Sequence, residues 1–331
     1  MADLKTKYMG LELRSPIIAG SCGLTSDVEK MVEMEKAGVG AVVLKSIFEE
    51  QINEETSGVF KAGYGMGDAY PEAEDYIKAY IRSNTIQKYV ELVRNAKSRL
   101  TIPVIASVNC FSGGEWVSFA RQLEEAGADA LELNVFILPV NEFKESAEVE
   151  NVYFEIVKSI KSQIKIPVSV KISHYFTNLS AFVDKIKAYG ANATTLFNRF
   201  YEPDININTL EMGAASVFST AAELRTTLRW TGILAGKDKR LEISASTGVH
   251  GGEATVKLLL AGATTVQVCS VLYEKGIHVI EDINNFIGKW MDTKAFKTIG
   301  DYRGMLSYSS IENPDLYERA QFMKYFSNKQ Y

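Results

Sequence analysis

The sequence is short of the residues that build metal centres and disulfide frameworks: only three histidines and three cysteines occur among its 331 residues. The cysteines, Cys22, Cys110 and Cys269, are odd in number, far apart and free of any CxxC pair. That pattern argues against a disulfide scaffold and a thiolate zinc site, and it fits a reducing compartment. No HExxH, P-loop or GxSxG element is present, so the zinc-protease, nucleoside-triphosphatase and serine-hydrolase readings have no anchor. Basic clusters are lacking too. The formal net charge is -5 with a pI near 5.5, which disfavours nucleic acid or an anionic membrane as partner. No apolar run approaches the ~18 residues of a membrane-spanning helix, and the N-terminal MADLKTKYMGLELRSP holds no signal-peptide core. A cytoplasmic protein is expected.

What is present is apolar material in a regular order. Hydrophobic residues make up 46% of the chain, enough for a deep core in one large domain spanning residues 1–331. Prolines are few, yet three of them open β-branched apolar runs: PIIAGS at Pro16, PVIASVN at Pro103 and PVSVKIS at Pro167. Proline is tolerated at the first residue of a strand, so these read as buried parallel strands. A second phrase joins a helix end, a glycine and another apolar run: AGVGAVVLK at Ala37, AGADALELN at Ala126, YGANATTLFN at Tyr189 and AGATTVQV at Ala261. The glycine supplies a left-handed helix cap before the next strand. Amphipathic stretches such as Glu115–Ala126 lie between them.

With LEISAST at Leu241, strands are expected near residues 16, 41, 103, 130, 167, 193, 241 and 264. Eight strands alternating with helices favour an α/β fold of the TIM type, a closed (β/α)8 barrel. The GxGxxG turn of many doubly wound sheets is missing. Long connections are expected from Phe48 to Asn84, Phe136 to Glu148 and Arg199 to Ser219. All three leave the C-terminal ends of strands, where barrel enzymes build their sites. Residues 294–331, rich in tyrosine and phenylalanine, read as a packed C-terminal extension or a subunit contact.

Candidate chemistry gathers at the same rim. Lys45 ends AVVLK and Lys171 lies near the end of VSVKIS. A lysine there is either a solvated or ion-paired strand terminus or a cation turned on a ligand, and two such lysines on different strands favour an anionic ligand. Asn134 and Asn198 end their strands in the same register. Each can cap the next turn or hold a heterocycle with adjacent N–H and C=O groups. Ser246, Thr247, Gly248, Gly251 and Gly252, with Cys269 and Ser270, are small residues on the last two loops. Those loops are the customary phosphate site of a barrel, with a helix start behind. His174 follows Lys171 at the mouth and is a candidate proton-transfer group. His250 falls in the phosphate loop, and His278 is expected on the last amphipathic helix with no functional role.

On SPIIAGSCGLT, AGVGAVVLKS, the ELN at Glu132, PVSVKIS, LLLAGATTVQV and FKTIGDYRG, the chain resembles class 1 dihydroorotate dehydrogenases over nearly its whole length, most nearly the fumarate-type homodimeric branch. The resemblance implies bound FMN, pyrimidine biosynthesis, a dihydroorotate-like small-molecule substrate, a homodimer, and fumarate as electron acceptor. It also implies residue roles. Ala19, Gly20 and Ser21 would touch the flavin, as would Lys45 and Ser46, with Lys45 also facing substrate. Asn134 and Asn198 would hold substrate, with Asn134 also on the flavin, and Lys171 would sit at the pyrimidine edge of the ring system. Thr247, Gly248, Cys269 and Ser270 would hold the phosphate. Lys45 and His174 are the expected catalytic residues.

Two departures stand out. Where the family carries Asn-Leu-Ser-Cys-Pro-Asn with a cysteine base, this chain has Asn134-Val135-Phe136-Ile137-Leu138-Pro139-Val140-Asn141. A positioned base is worth ~10²–10⁴ in rate. The family's Asn-Ser-Met-Gly-Leu-Pro-Asn phrase is replaced by Gly63-Tyr64-Gly65-Met66-Gly67-Asp68. The leading expectation is an FMN-dependent oxidoreductase of this type. An FMN-binding homologue with another substrate or no turnover is the first alternative. A Schiff-base lyase using Lys171 is the second.

Overall fold

The computed structural model describes residues 2–48, 71–109, 113–199 and 202–318. An antiparallel hairpin, β1 (Thr6–Tyr8) and β2 (Leu11–Leu13), precedes β3 (Ile17–Ala19), β4 (Ala41–Val43) and the short β5 (Ile47–Phe48). Then follow β6 (Val104–Asn109), β7 (Ala130–Asn134), β8 (Val168–Ile172) and β9 (Ala193–Leu196). A second hairpin, β10 (Pro203–Asn206) and β11 (Glu211–Ala214), separates β9 from β12 (Glu242–Ala245) and β13 (Thr265–Val268). Parallel pairing runs β3, β4, β6, β7, β8, β9, β12, β13 and back to β3. The eight expected runs therefore close into a (β/α)8 barrel.

Helices cover the outside. Val28–Lys36, Pro71–Arg99, Gly113–Glu125, Ser146–Lys161, Leu179–Ala188, Leu224–Lys237, Gly252–Ala261 and Val279–Thr293 lie between or after the barrel strands. The strand side chains alternate between two environments, as a period of two demands. Val104, Ala106 and Val108, or Leu131 and Leu133, join the large cluster shared with the helices. Ile18, Ala41, Val43, Ile105, Ala130 and Ala193 instead face inward and pack against Tyr8, Met9 and Leu13 of the first hairpin. That hairpin plugs the N-terminal end of the barrel, and Tyr8 Oη donates to Ser169 Oγ at 3.2 Å.

Glycine caps behave as expected. Gly262 ends its helix at φ 118, and a Cβ there would lie 2.4 Å from Ala235 Cβ, so both conformation and packing require glycine. Three expected boundaries shift. The helix Pro71–Arg99 starts well before Asn84 and the helix Ser146–Lys161 just before Glu148, because helical spacing in both runs extends upstream of the residues chosen as loop ends. His278 is exposed and is the N-cap residue of Val279–Thr293, not part of the helix body.

The described part of the C-terminal extension is packed. Residues 294–318 cross two barrel helices: Gly304 N–H donates to Leu259 O at 3.0 Å, Leu306 N–H to Leu260 O at 2.9 Å and Tyr308 N–H to Gly232 O at 2.9 Å. Tyr302 is fully buried against Trp290 and Phe296, with ring centroids 5.0 and 5.4 Å away. Its hydroxyl has no hydrogen-bond partner. Tyr302→Ala is expected to cost about 3–5 kcal/mol as an aromatic-to-alanine core change. Tyr302→Phe, which deletes only the orphaned hydroxyl, should stabilise by about 1 kcal/mol. Thermal and denaturant unfolding of the two variants checks both signs.

Candidate active site

The C-terminal mouth of the barrel holds a cavity of about 220 Å³. Gly20, Ser21, Lys171, Asn198, Thr247, Gly248, Cys269 and Ser270 line it, so eight expected residues from five loops or strand ends meet in one place. Ala19, Ser46 and Asn134 stand directly behind that lining. Ser46 N–H donates to Ser21 Oγ at 2.8 Å, and the Ser46 and Ser107 hydroxyls are 2.7 Å apart. Asn198 Nδ2 donates to Asn134 Oδ1 at 2.6 Å, an amide orientation assigned from this network. It leaves the Asn134 amino group and the Asn198 carbonyl oxygen for other partners.

Lys45 and His174 are outside the lining. Lys45 lies two residues beyond β4 and is exposed. His174 is also exposed on the rim, its ring 5.7 Å from that of Phe197, which does line the cavity. Partial desolvation lowers the imidazole pKa, against a smaller upward pull from Glu202. The segment Gly63–Asp68 and Cys110 lie outside the described residues.

Beneath the cavity the barrel interior is polar. Glu132, 1% exposed, points inward from β7. Its Oε2 accepts from Thr195 Oγ1 at 2.9 Å and from Gln267 Nε2 at 2.7 Å. Its Oε1 accepts no hydrogen bond and lies 3.8 Å from Lys171 Nζ. A buried carboxylate is tolerable only when paired and hydrogen-bonded. This one holds the Lys171 ammonium at the cavity floor. Gln267 also lines the cavity, and its buried Oε1 has no partner. Sequence reading missed Glu132 and Gln267. Their signal was available: a carboxylate and an amide inside strands that are otherwise apolar.

Two cysteines meet across the rim. Cys22, after β3, lies near Cys269, after β13, and the neighbouring Cys269 thiol is the chief cause of a lowered Cys22 pKa. Cys269 is raised by the same contact and by burial. Its thiol approaches Ser21 O at 3.4 Å. The loop from Asn134 to Asn141 confirms the other departure: Val135 is buried, Leu138 and Val140 are exposed, and none of these side chains can take a proton.

A closed parallel barrel with a cationic, amide-lined cavity at the C-terminal ends of its strands is the architecture of a barrel enzyme. Residues 3–291 match the sequence model of the dihydroorotate dehydrogenase family. The chain belongs to that family, whose members use a flavin. It is 30% identical over 311 residues to a Thermoplasma acidophilum protein named dihydroorotate dehydrogenase B (NAD+), catalytic subunit, covering 92% of this chain and 99% of the relative. A putative dihydroorotate dehydrogenase A (fumarate) of Aeropyrum pernix is 26% identical, over 91% of this chain and 97% of the relative. The relative in Pyrococcus furiosus, again named as a B (NAD+) catalytic subunit, is 25% identical over 92% and 98%. Both acceptor types thus occur among the relatives. Among the described residues no helix is long and apolar enough to cross a membrane.

The cysteine contact makes a direct prediction. Because a lowered pKa raises the thiolate fraction at neutral pH, Cys22 should alkylate readily at pH 7, and Cys269→Ala should move its pH profile upward. Iodoacetamide labelling followed by peptide mass analysis reads this; an unmoved profile would refute the thiol–thiol contact.

Proposed function

We propose that the chain is an FMN-dependent oxidoreductase that oxidises a CH–CH bond of dihydroorotate or a closely related cyclic amide. The observation that carries the reading is the Lys171–Glu132 pair at the floor of a cavity whose rim is made of small residues. When bound, FMN supplies the hydride acceptor. Lys171 presents a fixed ammonium where negative charge develops, in a site of low dielectric. The unpartnered Gln267 oxygen can accept from a ring N–H, and Asn134 with Asn198 offers a donor and an acceptor to substrate. Thr247, Gly248, Cys269 and Ser270 suit the phosphate end, with Ala19, Gly20, Ser21 and Ser46 behind the ring.

Lys45 and His174 stand on the rim and serve the substrate side. With no acid–base side chain from Val135 to Val140, the proton leaving the substrate goes to the His174 imidazole in this reading. Partial desolvation favours its neutral form, which is the form that accepts a proton. The missing cysteine base also supports a second reading, in which FMN binds but the substrate differs. The Schiff-base alternative is disfavoured, because a lysine nucleophile must be free to attack a carbonyl whereas Lys171 is paired with the buried Glu132 carboxylate at 3.8 Å. The exposed apolar side chains of β10 and β11, Ile205 and Met212, with Leu210 of the turn, suit a homodimer contact, and the resemblance supports fumarate as acceptor.

The purified protein should be yellow or take up FMN, and Lys171→Ala should weaken that binding or lower the flavin reduction potential. Anaerobic dihydroorotate should bleach the flavin. A colourless protein that takes up no FMN sinks the proposal; stable FMN without bleaching selects the altered-substrate reading. His174→Ala should lower the rate of bleaching ~10²-fold or more. In the unsubstituted protein the rate should fall on the acid side, below the ordinary imidazole range, as the neutral base is lost.

A further inference from the structure

Strands β3 and β13 lie side by side, with Ala19 opposite Val268. The ladder runs one step past that pair, where Gly20 N–H donates to Val268 O at 2.9 Å. Beyond it the two chains stay in contact. Cys269 Sγ lies 3.4 Å from Ser21 O and 3.7 Å from Gly20 O, so its sulfur rests against the peptide unit that leads into Cys22. Both thiols are free, and both keep some solvent exposure. Tyr273 closes the other side of Cys22. Its Oη accepts from Leu24 N–H at 3.2 Å, and a Cβ on Gly23 would lie 2.8 Å from that oxygen. The Cys22 pKa is lowered to about 6, chiefly by Cys269; burial opposes this, while Thr25, Leu24 and Tyr273 add to it. Cys22 is therefore largely thiolate at pH 7, the nucleophilic form, and Cys269 is held as the thiol. Neither the hydride transfer nor the proton transfer proposed above uses Cys22.

We propose that Cys22 and Cys269 are a redox-active thiol pair, oxidised by peroxide to a disulfide across the mouth of the barrel. The pair needs no flavin and stands apart from the cofactor reading. The Cys22 thiolate attacks one oxygen of hydrogen peroxide. The O–O bond breaks, the sulfur is oxidised to a sulfenic acid, and the departing hydroxide takes a proton from solvent and leaves as water. The Cys269 sulfur then attacks the sulfenic sulfur. The S–S bond forms, the S–O bond breaks, and the hydroxide carries off the Cys269 proton as a second water. Two thiols and one peroxide thus give one disulfide and two waters. Because Cys269 lines the cavity and Gly20 and Ser21 line it alongside, the bond joins two walls of one site. A dithiol reductant reverses it.

The test exposes the full chain to a small molar excess of hydrogen peroxide, alkylates it under denaturing conditions and digests it with trypsin without reduction. Each cysteine falls on its own tryptic peptide, residues 15–30, 100–121 and 258–275. The first and third should be found joined, free thiols should fall from three to one, and dithiothreitol should restore them. The oxidised protein should unfold at a higher temperature, since the bridge constrains the denatured chain. Cys22→Ser should form no bridge and keep both remaining thiols. Cys269→Ser should leave a sulfenic acid on Cys22 that dimedone traps. Three free thiols after peroxide, a bridge that includes Cys110, or Cys22 oxidised beyond the sulfenic acid beside a free Cys269 overturns the inference. The digest of the unsubstituted chain decides the matter even where a variant fails to fold.

Discussion

A carboxylate sealed inside the barrel organises the mouth above it. Glu132 accepts from Thr195 and Gln267 and faces Lys171 across 3.8 Å. Three further strands, β8, β9 and β13, are thereby tied to β7 through one buried charge. Removing one partner of such a pair costs ~3–5 kcal/mol, because the other is left uncompensated in low dielectric. The lysine cannot swing to solvent without that loss. A cation held so firmly is what a site needs if charge is to be stabilised with little reorganisation.

Around that pair the barrel divides labour by depth. Its N-terminal end is closed by apolar side chains from the first hairpin. Its middle layer is polar, with Ser169, Thr195, Ser244 and Thr265 hydrogen-bonded to one another or to Glu132. Its C-terminal mouth carries the cavity. Strand alternation produces this arrangement directly, since each inward position on a strand lies one layer above the last. The outward positions meanwhile bury aliphatic side chains under the helices and supply the stability that the polar interior does not.

The sides of the mouth that the proposed function assigns to flavin and to substrate differ in how they depart from the family pattern. Small residues at Gly20, Thr247 and Gly248 and the lysine at Lys171 line the cavity. The Val135–Val140 loop has replaced the expected base with apolar side chains, two of them exposed. In the proposed function, a change confined to the Val135–Val140 loop alters specificity or proton transfer before it alters the phosphate contacts, because those come from the loops after β12 and β13.

Chain order alone was enough to specify the barrel. Proline-led runs and glycine-capped helices are local signals carried by seven of the eight strands, and eight strands alternating with helices leave few closed topologies. Lys171, Asn134, Asn198 and the small residues after β12 and β13 were legible for the same reason: position at a strand end implies position at the mouth. Three features were decided only by tertiary structure. Whether Glu132 and Gln267 face inward depends on register, which a one-residue slip would invert. Cys22 meets Cys269, and Ser219 meets His250 and Ser270, because ring closure brings distant loops together, and no local pattern encodes such contacts. Lys45 stands exposed although its strand end looked equivalent to that of Lys171, since between β4 and β5 its N–H turns away from the barrel ladder to Thr25 O, at 3.3 Å.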